Sequence, residues 1–163
     1  MAEGGGVTLR PGTRGDLAGV NAVVEAAVMG WDLPERVKRL SMDSYRYHDH
    51  DLDHVALLVA EADGAVVGVA ATEDADPADC PEGKRALLLH GLYVLPGHQG
   101  QGLGRRLLAA VAEEARGQGY AGVLVKANKD AQGFFAARGL GAVPVQDPGR
   151  DYPYRFWLDL GEV

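Results

Sequence analysis

Apolar residues recur at spacings of three and four in some stretches of the chain and form short runs or alternate in others. Leu17, Val20, Val24 and Val28 share one helical face, which predicts a helix over 14–29. Thr13 and Asp16 before it form a capping-box-like start with Asp in place of Glu. A second helix starts after Pro34 and carries Val37, Leu40 and Tyr45. In a third, Leu103, Leu107, Leu108, Val111, Ala112 and Ala115 line one face, and Gly117 or Gly119 ends it. A fourth covers 130–138. Strands are expected at 7–10, 55–61, 65–72, 86–95, 122–126, 142–145 and 154–160. Asp63-Gly64 joins the second and third of these as a hairpin turn. The order β-α-α-β-β-β-α-β-α-β-β is mixed α/β.

A length of 163 residues with 47% apolar content suits one domain with a sizeable core, expected over 7–163 behind a disordered tail at 1–6. No apolar run approaches the roughly 18 residues of a membrane span, and the start Met-Ala-Glu-Gly-Gly-Gly lacks the basic and apolar regions of a signal peptide. The lone Cys80 cannot form an internal disulfide, which suits a reducing cytoplasm. The formal charge of −7 argues against nucleic acid as the main partner.

The most informative stretch is 86–106. An apolar run ends at Val94 and Leu95, Pro96 and Gly97 stop it, and Gly100, Gly102 and Gly104 precede the third helix. A glycine-rich loop between strand and helix presents backbone N–H groups at the positive end of a helix dipole, where phosphate oxygens are held. Glycine is needed because a Cβ would hold the phosphate away and because the turn can require positive φ. A P-loop needs Lys then Ser or Thr after its last glycine, and here Arg105 and Arg106 follow. A dinucleotide fingerprint needs G-x-G-x-x-G and an acidic residue about twenty positions on. The glycines here run G-x-G-x-G, and position 124 is Leu.

What remains, Gln99-x-x-Gly102-x-Gly104, resembles the acyl-CoA loop of the GCN5-related N-acetyltransferases, the GNAT superfamily. Leu92-Tyr93-Val94-x-Pro96 resembles the end of that family's fourth strand, and Leu9-Arg10-Pro11 with Thr13 and Asp16 resembles its first strand and helix. Asn128, Ala131, Phe134, Phe135 and Gly139 resemble the exit from strand five and the helix after it. The resemblance implies a mixed, mostly antiparallel sheet of about six to seven strands with flanking helices, splayed between strands four and five. It implies acetyl-CoA as co-substrate, without a metal, and an acetyl group passed directly to a primary amine of a small molecule or peptide.

By the same resemblance, backbone groups of Leu92, Tyr93 and Val94 meet the acyl end, with an N–H near Val94 as oxyanion donor. Gln99, Gly100, Gln101, Gly102, Leu103, Gly104 and Arg105 hold the pyrophosphate. Asn128 bonds near the pantetheine, and Phe134 or Phe135 packs on it. Many relatives carry a Tyr four residues before the closing glycine, as acid for the departing thiolate. Here that position is Phe135, which has no proton to give. A CoA-binding regulatory or sensor domain without turnover is therefore the second expectation.

An acceptor ammonium must lose a proton before it attacks. His90 is the base expected from the residues: alternation along its strand puts it on one face with Leu92 and Val94, and imidazoles change charge near neutrality. Glu73, at the end of the preceding strand, is next. His48-Asp49-His50-Asp51-Leu52-Asp53-His54 invites a metal reading, but no helical His-x3-His pair or zinc-finger spacing frames it, so a solvated acidic loop is expected. Trp31 and Tyr45 could cover the acceptor. The partner expected is the amine acceptor, with a homodimer as an option and neither nucleic acid nor membrane.

Overall fold

The computed structural model describes residues 6–80, 83–127, 131–145, 148–149 and 154–161. Seven strands and four helices follow in the order β1 (Thr8–Pro11), α1 (Leu17–Met29), α2 (Glu35–Tyr45), β2 (Ala56–Ala62), β3 (Ala65–Asp74), β4 (Ala86–Val94), α3 (Leu103–Gly117), β5 (Gly122–Lys126), α4 (Gln132–Ala137), β6 (Gly141–Ala142) and β7 (Arg155–Asp159). The hydrogen-bonded strand order is β1-β2-β3-β4-β5-β7-β6. Residues fall into two compact units, Met1–Ala71 with Leu92–Leu108 and Thr72–Gly91 with Ala109–Val163, and β3, β4 and α3 run through both.

In the first unit, β1 pairs antiparallel with β2, from Thr8↔Glu61 to Pro11↔Leu58. Thr13 starts the turn into α1 as expected, its backbone N–H donating to Asp16 Oδ2 at 2.7 Å. Arg10 holds the same Asp16 carboxylate through both terminal nitrogens at 2.9 Å. Asp63 and Gly64 both adopt positive φ, 52° and 81°, which is the hairpin geometry that Asp-Gly favours. Val20, Val23, Val24 and Val28 of α1 pack with Leu57 and Val59 of β2, Val69 of β3 and Tyr93 of β4.

The second helix starts after Pro34 as expected, and the face it buries is not its apolar one. Val37 and Leu40 face solvent, at 43% and 75% exposure, and Lys38 and Met42 are buried instead. The reason lies at the end of α1: Lys38 Nζ donates to the Met29 carbonyl at 2.6 Å. That carbonyl is one of those a helix C-terminus leaves without a partner, and a cation there also opposes the helix dipole.

In the second unit, β4 and β5 run parallel from Ala86↔Gly122 to Leu89↔Val125, and β7 pairs antiparallel with both β5 and β6. The β4–β5 ladder stops at Leu89, while β4 continues to Val94. This is the expected mixed sheet, with β4 and β5 as its parallel pair. Gly122 lets Trp157 of β7 lie close over β5, because a Cβ there would fall inside the Trp157 ring. β6 is only two residues long and starts one residue before the strand expected at 142–145. Among the described residues no helix is long and apolar enough to cross a membrane.

Candidate functional site

The glycine loop belongs wholly to the first unit. The Leu95 backbone N–H donates to Val67 O at 2.9 Å, which holds the end of β4 against β3. Pro96–His98 then make one 3-10 turn. The Gln99 side-chain amide donates to the Val94 carbonyl at 3.1 Å, folding the loop back onto the strand it left. Gly100 and Gly102 sit at φ of 80° and 79°, values that side-chain-bearing residues rarely adopt, and the space a Cβ would occupy at either is empty. Gln99, Gly100, Gln101, Gly102 and Arg105 are exposed.

Leu103, Leu107 and Leu108 anchor the helix behind the loop and are buried. Leu103 and Leu107 press onto β3 at Gly68, where a Cβ would stand 3.2 Å from Leu107, 3.3 Å from Leu103 and 3.4 Å from the Tyr93 carbonyl. The first amides of α3 have no carbonyl within the helix to bond. They and the open loop fit a pyrophosphate, with no side chain in the way. Arg106 is committed elsewhere, donating to the Val7 carbonyl at 3.0 Å. Arg105 is the cation left at the loop exit.

Two residues named for cofactor contact can offer only backbone groups. Leu103 is 4% exposed, and Tyr93 is core, its ring stacked on Trp31 with centroids 6.4 Å apart. Burial, with the Tyr45 charge adding to it, pushes the Tyr93 hydroxyl up to about 12. Trp31 also meets Tyr45 edge to face at 5.2 Å. Sequence spacing did not reveal this aromatic group, because its three members lie on three different segments.

The second unit holds His90, Glu73, Phe134 and Phe135. His90 is exposed on β4, and its Nε2 lies 3.6 Å from Oε2 of Glu73 on β3. The strand's burial pattern matches the expected alternation: Leu88, His90, Leu92 and Val94 lie on the less buried side, Leu87, Leu89 and Tyr93 on the buried one. The two candidate bases, 17 positions apart in sequence, are therefore a pair. Their proximity follows from antiparallel pairing of β3 with β4, where Ala75 N–H donates to Ala86 O at 3.0 Å.

Phe134 and Phe135 part company. Phe135 is 4% exposed, tilted against Phe156 at 5.9 Å and edge-on to Phe134 at 5.1 Å. Phe134 is only half-buried, with the Arg138 guanidinium 5.3 Å over its ring. Of the two, Phe134 has ring surface to offer a ligand. The expected contact of Asn128, like the tail at 1–5, lies outside the described residues.

His48, His50 and Asp51 of the His/Asp segment bring their ligand atoms within 4.8 Å of one another. This grouping was not visible in the spacing, since it depends on the 3-10 turn Asp49–Asp53.

Comparison with known proteins agrees with this geometry. The model of the acetyltransferase (GNAT) family matches residues 26–141. The chain is 30% identical over 158 residues to the L-methionine sulfoximine/L-methionine sulfone acetyltransferase of Salmonella typhimurium, covering 94% of this chain and 91% of that protein. It is 36% identical over 106 residues to the L-amino acid N-acyltransferase MnaT of Escherichia coli, covering 64% of this chain and 60% of that one. Two solved structures share the fold: PaiA N-acetyltransferase of Thermoplasma acidophilum in complex with coenzyme A (TM-score 0.73, 15% identity, 94% and 99% covered) and a GNAT family acetyltransferase of Brucella melitensis in complex with acetyl-CoA (TM-score 0.69, 23% identity, 96% and 90% covered). The chain belongs to the GNAT family of acetyltransferases.

Proposed function

We propose that this chain transfers the acetyl group of acetyl-CoA directly to the primary amine of a small acceptor of amino-acid size. The observation that carries the reading is the loop from Gln99 to Arg105, with its positive-φ glycines, open Cβ positions and helix N-terminus. It supports a pyrophosphate held by backbone N–H groups. The relatives named for methionine sulfoximine and for L-amino acids support an acceptor whose reacting amine sits beside a carboxylate.

In this reading the neutral amine attacks the thioester carbonyl, a C–N bond forms and the C–S bond breaks. The amine's proton passes to His90, directly or through water, and Glu73 at 3.6 Å faces the imidazolium that results. A backbone N–H near Val94 steadies the oxyanion. Phe135 supplies no proton to the thiolate, so solvent or the amine's own proton does. The lone cysteine accords with a cytoplasmic site of action.

The test is an acceptor panel with acetyl-CoA, following free thiol. L-Methionine sulfoximine, L-methionine sulfone and the common L-amino acids come first. Turnover on at least one, abolished by N-methylating the amine to a quaternary ammonium, is the expected result. Tight CoA binding with no turnover across the panel would favour the sensor reading that Phe135 keeps open.

A further inference from the structure

We propose that His48, His50 and Asp51 form a binding site for a late first-row divalent cation, of which zinc is the natural probe. His48 Nδ1 lies 3.6 Å from Asp51 Oδ2, and His50 Nε2 lies 3.6 Å from Asp51 Oδ1. Around a tetrahedral zinc with bonds near 2.0–2.1 Å, ligand atoms stand about 3.3–3.4 Å apart. These two gaps are a few tenths of an ångström wider, and the three ligand atoms all lie within 4.8 Å of one another, so side-chain rotation has to draw them together by at most about 1.4 Å. The two imidazole rings are parallel within 1°, with centroids 5.5 Å apart. Two imidazole nitrogens and a carboxylate oxygen are the donor set that suits zinc, copper or nickel and disfavours magnesium.

A second observation comes from the far side of His48. Its Nε2 lies 3.6 Å from Asp43 Oδ1 at the end of α2. A metal-bound imidazole commonly donates its other N–H to a carboxylate, which fixes the tautomer and strengthens the ligand. Here that carboxylate is already present.

The turn that carries the ligands is held independently of any ion. The Tyr47 N–H donates to Asn21 Oδ1, and Asn21 Nδ2 donates to the Tyr47 carbonyl, both at 2.8 Å. The His48 N–H donates to Asp51 Oδ2 at 2.8 Å, which fixes the carboxylate against the turn. Arg14 pairs with the neighbouring Asp49, and Leu52 packs on the core. The backbone is thus set before the ion arrives, and only side-chain rotamers remain to be ordered. With three protein ligands at the surface, water completes the coordination. The bound ion would tie the segment before β2 to the end of α2.

Titration calorimetry of the untagged full chain with zinc chloride should show one site per chain, and magnesium chloride should show none. Zinc should also raise Tm. His50→Ala, at an exposed position, should leave the fold intact, weaken zinc at least tenfold and abolish the rise in Tm. Asp43→Asn should weaken zinc by a factor of about ten, as loss of an outer-shell carboxylate commonly does. Cys80→Ser and His98→Ala should change nothing. No binding with zinc in tenfold excess would overturn the proposal. So would affinity unchanged in His50→Ala, or affinity lost in Cys80→Ser.

Discussion

His90 Nε2 and Glu73 Oε2 stand 3.6 Å apart on neighbouring strands, the imidazole half exposed and the carboxylate more sheltered. The pair has the parts of a general base with a carboxylate that orients it. His90→Ala should lower kcat/KM by about 10²–10⁴-fold with CoA affinity retained, and the acidic limb of the pH–rate profile should move or vanish. Glu73→Gln should lower kcat by less and shift that limb, because it acts through His90. Near-normal turnover in His90→Ala would make the histidine structural and leave Glu73 as the base.

Gly102→Val tests the loop. The φ of 79° strains any side-chain-bearing residue, and the branched side chain would occupy the open space over the amides. CoA affinity should fall at least tenfold, about 1.4 kcal/mol, by calorimetry on a variant with native circular dichroism. Unchanged affinity would move the pyrophosphate elsewhere.

Phe135→Tyr should not restore a general acid. The ring is enclosed by Phe134 and Phe156, so the added hydroxyl is buried among carbons. It should cost about 1–3 kcal/mol of stability, read by urea unfolding, without raising kcat. Higher turnover at unchanged stability would show that position 135 reaches the thiolate after all.

Stability at high pH should report on Tyr93. Its folded-state value of about 12 lies above the ordinary 10, so the unfolded chain releases the proton first. Its contribution is intact below about pH 10 and is lost as pH rises toward 12, by about 2–3 kcal/mol at the end of that window. Tyr93→Phe should therefore lose less stability than the parent between pH 10 and pH 12 in denaturant titrations. Parallel curves would show that Tyr93 titrates normally.

Much of this was legible along the chain. The three-and-four spacing in α1 and α3 reports packing against a sheet, and the loop announces itself because glycine is required there by backbone geometry. The pairing of His90 with Glu73 was half legible: each was nameable, but their contact depends on the register of β3 against β4, which no local pattern encodes. The buried face of the second helix was not legible, since Val37 and Leu40 face solvent while Lys38 takes the interior to reach a helix end. Phe135 carries the same lesson: its position matches a family's tyrosine, and only packing tells a ligand-facing ring from a buried one. The His48 segment stands out along the chain but reads as a solvated loop, because its residues are spaced for a 3-10 turn and not for a helical or zinc-finger site.

Gly68 has a consequence for how affinity can be tuned. Leu103 and Leu107 would stand only 3.2–3.3 Å from a Cβ there, so the height at which α3 sits on β3 also sets the height of the amides at its start. One added methyl group there would press on the Leu103 and Leu107 side chains and is expected to shift the start of α3 by tenths of an ångström, and with it the amides proposed to hold phosphate, with the loop's own sequence untouched. The volume of a strand residue 34 positions upstream of Gly102 thus acts as a calibration of the ligand site. Selection, or a designer, could adjust CoA affinity in fine steps from beneath the site, while substitutions within the loop allow only coarse ones.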